Sequence, residues 1–99
     1  MTTMGEAEKT CRAEVALCNR DGLHARPAHL FVQTANAYAS RISVRRQGEP
    51  DVVDGKSIMG MMMLAAERGA TLELLADGPD ADELVRALVE LIQAGFGEE

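Results

Sequence analysis

Gly22-Leu23-His24-Ala25-Arg26-Pro27-Ala28 places an imidazole and a guanidinium two positions apart, where turn chemistry gives way to a helix. Imidazole is a nucleophile near neutral pH. A helix that starts after His24 leaves the N–H groups of Ala25 and Arg26 without intrahelical acceptors. Together with the macrodipole, these make an anion cradle. The dipole contribution is modest, roughly 0.3–1 kcal/mol at an exposed position. Arg26 adds a full positive charge and a fork that fits phosphate oxygens. A nucleophile beside an open anion cradle predicts a phosphohistidine whose phosphoryl group is passed on. The bland alternative is a polar residue at a helix start, and a lone histidine is weak grounds for more.

Ser57 is the second candidate. It is a good N-cap, and a phosphate on it would add about −1.5 to −2 charges at the start of the next helix. The third is the run Ile58-Met59-Gly60-Met61-Met62-Met63-Leu64. Met61, Leu64 and Ala65 share one helical face and are expected in the core. Ile58, Met59 and Met62 share another, an adaptable apolar surface for a partner. His29 lies five residues after His24, which puts the two about 140° apart around a helix. A shared metal site is rejected on that geometry, and His29 is left at the rim of the docking surface or without a special role. No metal-ligand spacing occurs, and no carboxylate is placed by sequence to orient His24.

These residues need elements to hold them. Ala13, Val15 and Leu17 alternate with Arg12, Glu14 and Ala16, the pattern of a half-buried strand. Asn19-Arg20-Asp21-Gly22 ends it as a turn. Ala28, Phe31, Val32, Ala35 and Tyr38 line one face of a first helix, with Pro27 in its first turn. Arg41–Arg45 alternates as a second strand, and Asp51–Asp54 reads as a short edge strand. Ser57 caps a helix expected from Ile58 to about Glu67, with Gly69 as its left-handed stop. Thr71–Leu75 reads as a fourth strand with Leu72 and Leu74 inward. Asp80, with Glu83 three residues on, matches a capping box for a last helix striped by Leu84, Val85, Leu88, Leu91 and Ile92. The order β-α-β-β-α-β-α predicts an α+β, two-layer sandwich.

The chain has 99 residues, the length of one domain. Residues 1–10 are small, polar and charged and read as a flexible extension, leaving 11–99 as the folded unit; Met4 is an alternative start. Aromatic residues make up 3% and the net charge is −6, which argues against nucleic acid and for basic protein partners. No apolar run matches a signal peptide or a membrane span, so the expected compartment is the cytoplasm. Cys11 and Cys18 would lie on opposite faces of one strand and are expected as free thiols.

The first motif, followed by Gly55-Lys56-Ser57-Ile58-Met59-Gly60, resembles the HPr family, the histidine-containing phosphocarriers of the bacterial phosphoenolpyruvate-dependent phosphotransferase system. The likeness runs from about residue 12 to 97, and two separated motifs in the correct order make it specific. It implies an open-faced sandwich, with three helices on one side of an antiparallel sheet of order 1-4-2-3. It implies that His24 takes a phosphoryl group on Nδ1 from phosphorylated Enzyme I and hands it to a histidine of an Enzyme IIA protein or domain. Arg26 then assists at the phosphate, and Ser57 matches the serine modified by HPr kinase/phosphorylase in many bacteria. Ile58, Met59 and Met62 match the docking patch. The resemblance implies a monomeric carrier rather than a stand-alone enzyme, with no cofactor and no metal.

This sequence departs from the family pattern in places. Gly48–Ser57 is about two residues longer than in many sugar-system members. Gln33 and Asn36 stand where lysines often ring the docking face, which predicts docking that depends less on salt. The ending Ala94-Gly95-Phe96-Gly97-Glu98-Glu99 is similar to the nitrogen-related NPr branch and to proteobacterial members that serve regulation. The competing reading is a regulatory binding module switched at Ser57, with little transfer through His24. A non-covalent anion-binding domain or a hydrolase using His24 fits poorly.

Overall fold

Strand β4, Thr71–Gly78, is the axis of the molecule, because burial alternates strictly along it and it has a neighbour on each side. Leu72, Leu74 and Ala76 are buried, and Thr71, Glu73, Leu75 and Asp77 are only half-buried. The computed structural model describes residues 9–98. Along the chain it forms β1 (Lys9–Ala16), α1 (Ala25–Asn36), β2 (Arg41–Arg46), β3 (Val52–Asp54), α2 (Ile58–Met63), β4 and α3 (Ala81–Gln93), with a 3-10 turn at Gly95–Gly97. The sheet order is β1-β4-β2-β3 with every pairing antiparallel, as the family resemblance implied.

Register follows from the alternation, since a slip of one residue would turn every apolar side chain to the other face. Val15 pairs with Leu72 and Ala13 with Leu74 on one side of β4; Val44 pairs with Leu74 and Ile42 with Ala76 on the other. The three helices cover that inward face. Helix α1 buries Ala28, Phe31 and Ala35, and α3 buries Ala81, Leu84, Val85, Leu88 and Ile92. Helix α2 buries only Met61. Each large side chain sealed in this core stabilises the fold by roughly 1.5–3 kcal/mol.

Several expectations need correction. Lys9 and Thr10, read as part of a loose extension, already pair with Gly78 and Asp77; the rest of that extension lies outside the described residues. Strand β4 runs on to Gly78 rather than ending at Leu75, because β1 and β2 extend alongside it.

Helix α2 ends at Met63 and not near Glu67. Ala65 takes a left-handed φ of 49° and is exposed, so it does not join Met61 and Leu64 in the core. The bend instead buries Ala66, whose carbonyl accepts from the Leu23 N–H at 2.9 Å. That tertiary bond and the burial of Leu64 and Ala66 offset a local cost of about 1–2 kcal/mol for a non-glycine residue. Gly69 serves the turn into β4, where its N–H donates to the Leu17 carbonyl at 2.8 Å.

Asp80 precedes α3, but its carboxylate caps nothing there. It accepts from the N–H of Ala39 at 3.0 Å and of Ser40 at 2.9 Å, and from the Ser40 hydroxyl at 2.6 Å. The Asp80 N–H donates back to Ser40 Oγ at 3.0 Å. Gly78 permits this, because a Cβ there would lie 2.5 Å from Ser40 Oγ. The carboxylate therefore clasps the α1–β2 connection to the end of β4, and the hydrogen bond from Ser40, foremost, holds its pKa below the ordinary carboxylate range.

Candidate functional site

The loop before α1 is held rigidly. Gly22 has φ 65°, and a Cβ at this position would lie 2.6 Å from the Ala66 carbonyl oxygen, so glycine alone fits. Leu23 is buried beside it. Asn19, 2% exposed, donates from Nδ2 to the Gly22 carbonyl at 2.7 Å. These anchors set His24 in extended conformation as the N-cap residue of α1, with its carbonyl accepting from the Ala28 N–H at 3.0 Å. Its side chain makes no cap bond and stays 41% exposed. Ala25 and Arg26 are exposed in the first helical turn, and Pro27 is buried where it removes no intrahelical bond.

A carboxylate does meet the imidazole. Glu98 reaches back from beyond α3 and lies 3.1 Å (Oε2) and 3.3 Å (Oε1) from His24 Nε2. Asn19 Nδ2 also donates to Glu98 Oε1 at 3.0 Å, so both amide hydrogens of Asn19 are committed. Its Oδ1 is buried with no partner among the described residues. Turning the amide over would aim that oxygen at a carbonyl and a carboxylate, which settles the orientation. The Asn19 hydrogen bond, foremost, then the contact with His24 and the charges of His24 and Arg26, hold the Glu98 carboxyl below its usual range against the effect of burial. An ionised carboxylate only accepts, so Nε2 carries the proton. In the neutral ring the lone pair is then on Nδ1, which has no hydrogen-bond partner among the described residues.

Sequence reading missed Glu98. It is 74 residues from His24, and a turn positions it: Phe96 is buried at φ 57° between two glycines with positive φ. The one available signal was the Gly-Phe-Gly bend after an amphipathic helix, which does not say where the chain goes.

Ser57 is the N-cap of α2, as expected: its Oγ accepts from the Gly60 N–H at 3.0 Å, and its own N–H donates to the Asp54 carbonyl. The expected docking residues are exposed, Ile58 by 39%, Met59 by 71% and Met62 by 42%. Met63, which the sequence reading left aside, is exposed by 76%, and Met61 is wholly buried. Helix α2 packs against α1, and the segment after it is bonded to Leu23, so the methionine face and the His24 loop are parts of one supported unit. His29 is exposed on α1. Cys11 and Cys18 are free thiols, with burial, foremost, pushing the Cys11 thiol up. Among the described residues no three His, Cys, Asp or Glu side chains group as metal ligands, and no helix is long and apolar enough to cross a membrane.

Residues 11–94 match the family model described as the PTS HPr component phosphorylation site. The phosphocarrier protein HPr of Neisseria meningitidis is 45% identical over 87 residues, covering 88% of this chain and 96% of that one. The phosphocarrier protein HPr of Pseudomonas aeruginosa is 48% identical over 85 residues, covering 86% and 93%. Among solved structures, an HPr from Thermoanaerobacter tengcongensis superposes with a TM-score of 0.83 at 45% identity, covering 90% of this chain and 98% of that one.

Proposed function

The chain belongs to the HPr family of phosphocarriers of the phosphotransferase system, and from that premise we propose that His24 is its phosphoryl-accepting residue. The donor is phosphorylated Enzyme I, and the acceptor is a histidine of an Enzyme IIA protein or domain. The flow serves sugar uptake or the regulation of nitrogen and carbon metabolism. The observation that carries the reading is an imidazole at a helix N-terminus whose Nε2–H is turned into Glu98 and whose Nδ1 has no hydrogen-bond partner among the described residues.

The lone pair of Nδ1 attacks the phosphorus of the donor's phosphohistidine. The Nδ1–P bond forms as the donor N–P bond breaks, and the donor imidazole leaves as the neutral base. His24 becomes a cationic ring with its proton still on Nε2, and Glu98 stabilises that charge at 3.1 Å. The Ala25 and Arg26 N–H groups and the Arg26 guanidinium meet the phosphoryl oxygens. The reverse sequence, with Enzyme IIA as nucleophile, discharges the carrier. Ile58, Met59 and Met62 are the docking contacts for both partners, and a single chain, working as a monomer in the cytoplasm, supplies the whole site.

Ser57 has a regulatory role in the same reading. HPr kinase/phosphorylase would phosphorylate its hydroxyl, placing about −1.5 to −2 charges beside Ile58 and Met59. The purely regulatory module, with His24 idle, is less well supported, because the Gly22, Asn19 and Glu98 contacts all converge on the imidazole loop.

The test is phosphorylation by phosphoenolpyruvate and cognate Enzyme I, comparing the native chain with His24→Ala. An acid-labile, alkali-stable phosphate confined to the native chain is the expected result. Absence of label with a competent Enzyme I moves the function to Ser57.

A further inference from the structure

We propose that Met59, Met62 and Met63 form an oxidation site, at which a hydroperoxide converts the thioethers to sulfoxides and weakens partner docking without altering the phosphoryl-accepting imidazole. This rests on the docking role given above to the exposed face of α2. The three methionines stand at i, i+3 and i+4 of that helix and therefore share a face. Each exposes between 42% and 76% of its surface, and Met61, between them in sequence, exposes none. Oxidation follows access to the sulfur, so one helix carries three reactive thioethers and its own protected control. Leucine has a similar helix propensity and no oxidisable atom, so helix formation alone does not call for this composition.

The step balances with hydrogen peroxide as the co-reactant. A sulfur lone pair attacks one peroxide oxygen, the S–O bond forms and the O–O bond breaks. The departing hydroxide takes the remaining proton and leaves as water. Sulfur loses two electrons and the peroxide gains two. The sulfoxide is uncharged but strongly dipolar, and burying it unpaired at an interface is unfavourable. No methionine sulfur takes part in the Ser57 cap or in the His24–Glu98 contact, so local structure at both is spared.

The experiment treats the full chain with hydrogen peroxide, then with dithiothreitol to return Cys11 and Cys18 to thiols, and maps added oxygen by peptide mass spectrometry. Oxygen is expected on Met59, Met62 and Met63 and not on Met61. Phosphorylation is then followed with two donors: phospho-Enzyme I, and phosphoramidate, a small donor that needs no docking surface. The KM for the oxidised chain as substrate of Enzyme I should rise about tenfold, the scale of losing a buried apolar side chain at a contact. The phosphoramidate rate should not change, and methionine sulfoxide reductases should restore the KM.

A variant with Met59→Leu, Met62→Leu and Met63→Leu, whatever its own starting KM, should show the same KM before and after peroxide, which also removes Met1 and Met4 as the source. An unchanged KM with all three sulfurs oxidised overturns the proposal alone. So does a leucine variant that responds like the native chain, or equal slowing with both donors. An untreated chain that takes phosphate from phosphoramidate but not from Enzyme I overturns the docking reading and the proposal with it.

Discussion

The division of labour within one imidazole is the central point at the scale of the residue. Nε2 is given to Glu98, and in the proposed reaction Nδ1 is the atom left for phosphorus. Glu98→Gln replaces an obligate acceptor with a group that can also donate, so the tautomer is no longer enforced. The expected outcome is a several-fold slower transfer from Enzyme I, together with a shift of ring 15N resonances toward the Nδ1–H tautomer. Unchanged 15N shifts would remove Glu98 from the mechanism. Arg26 is exposed, so Arg26→Ala should leave the melting temperature within a degree or two while slowing transfer by about a hundredfold, the lower end for loss of one charge-stabilising group. A normal rate in a rapid-quench assay would deny it that role.

Helices α1 and α2 differ in kind at the scale of the element. Helix α1 is anchored by Phe31 and two alanines and presents a rigid N-terminus. Helix α2 has a single buried residue and presents almost everything else. The brevity of α2 makes its cap important: losing the Ser57 side chain to alanine should cost about 1 kcal/mol. Ser57→Asp keeps a capping oxygen and adds charge beside Ile58 and Met59, so its main effect should be on docking. Titration calorimetry with Enzyme I should show weaker binding, and equal affinity would separate this surface from the partner. On α1, the exposed Gln33 and Asn36 would carry no charge into the proposed contact. Transfer rates between 50 mM and 500 mM salt should therefore fall only slightly; a steep fall would reveal a charged rim elsewhere.

Three carboxylates with lowered pKa tie distant parts together at the scale of the whole molecule. Asp80 clasps the α1–β2 connection, Glu73 joins Arg45 across the β4–β2 pair, and Glu98 closes the end of the chain onto the site. The hydrogen bond from Arg45, foremost, depresses Glu73, and those from Ser40 and Asn19 lead for the other two. A folded pKa below the unfolded one gives stability that is present above the unfolded value and is lost as pH falls through the folded value. Thermal stability should therefore decline from about pH 5 downward. Asp80→Asn should melt lower than the native chain at pH 7, and the gap should narrow at pH 3. A constant gap across that range would mean that the charge of Asp80 does not matter.

Alternation in β1, β2 and β4 and the stripes of α1 and α3 made the layers legible, because burial on one face must repeat with the period of the backbone. The helix starts at His24 and Ser57 were legible too, since a helix start confers the same local chemistry wherever it lies. The sequence by itself determined those elements, their caps at His24 and Ser57, and the order of residues along the site. The family motifs in that sequence added the strand order, which periodicity does not contain. Only the tertiary structure decided that Asp80 turns back to Ser40, that α2 stops at Met63 so that Ala66 can meet Leu23, and that Glu98 returns to His24. Each of these is a polar contact between residues distant in the chain. Its partner is set by where packed elements come to rest, and hydrophobic periodicity carries no record of that position.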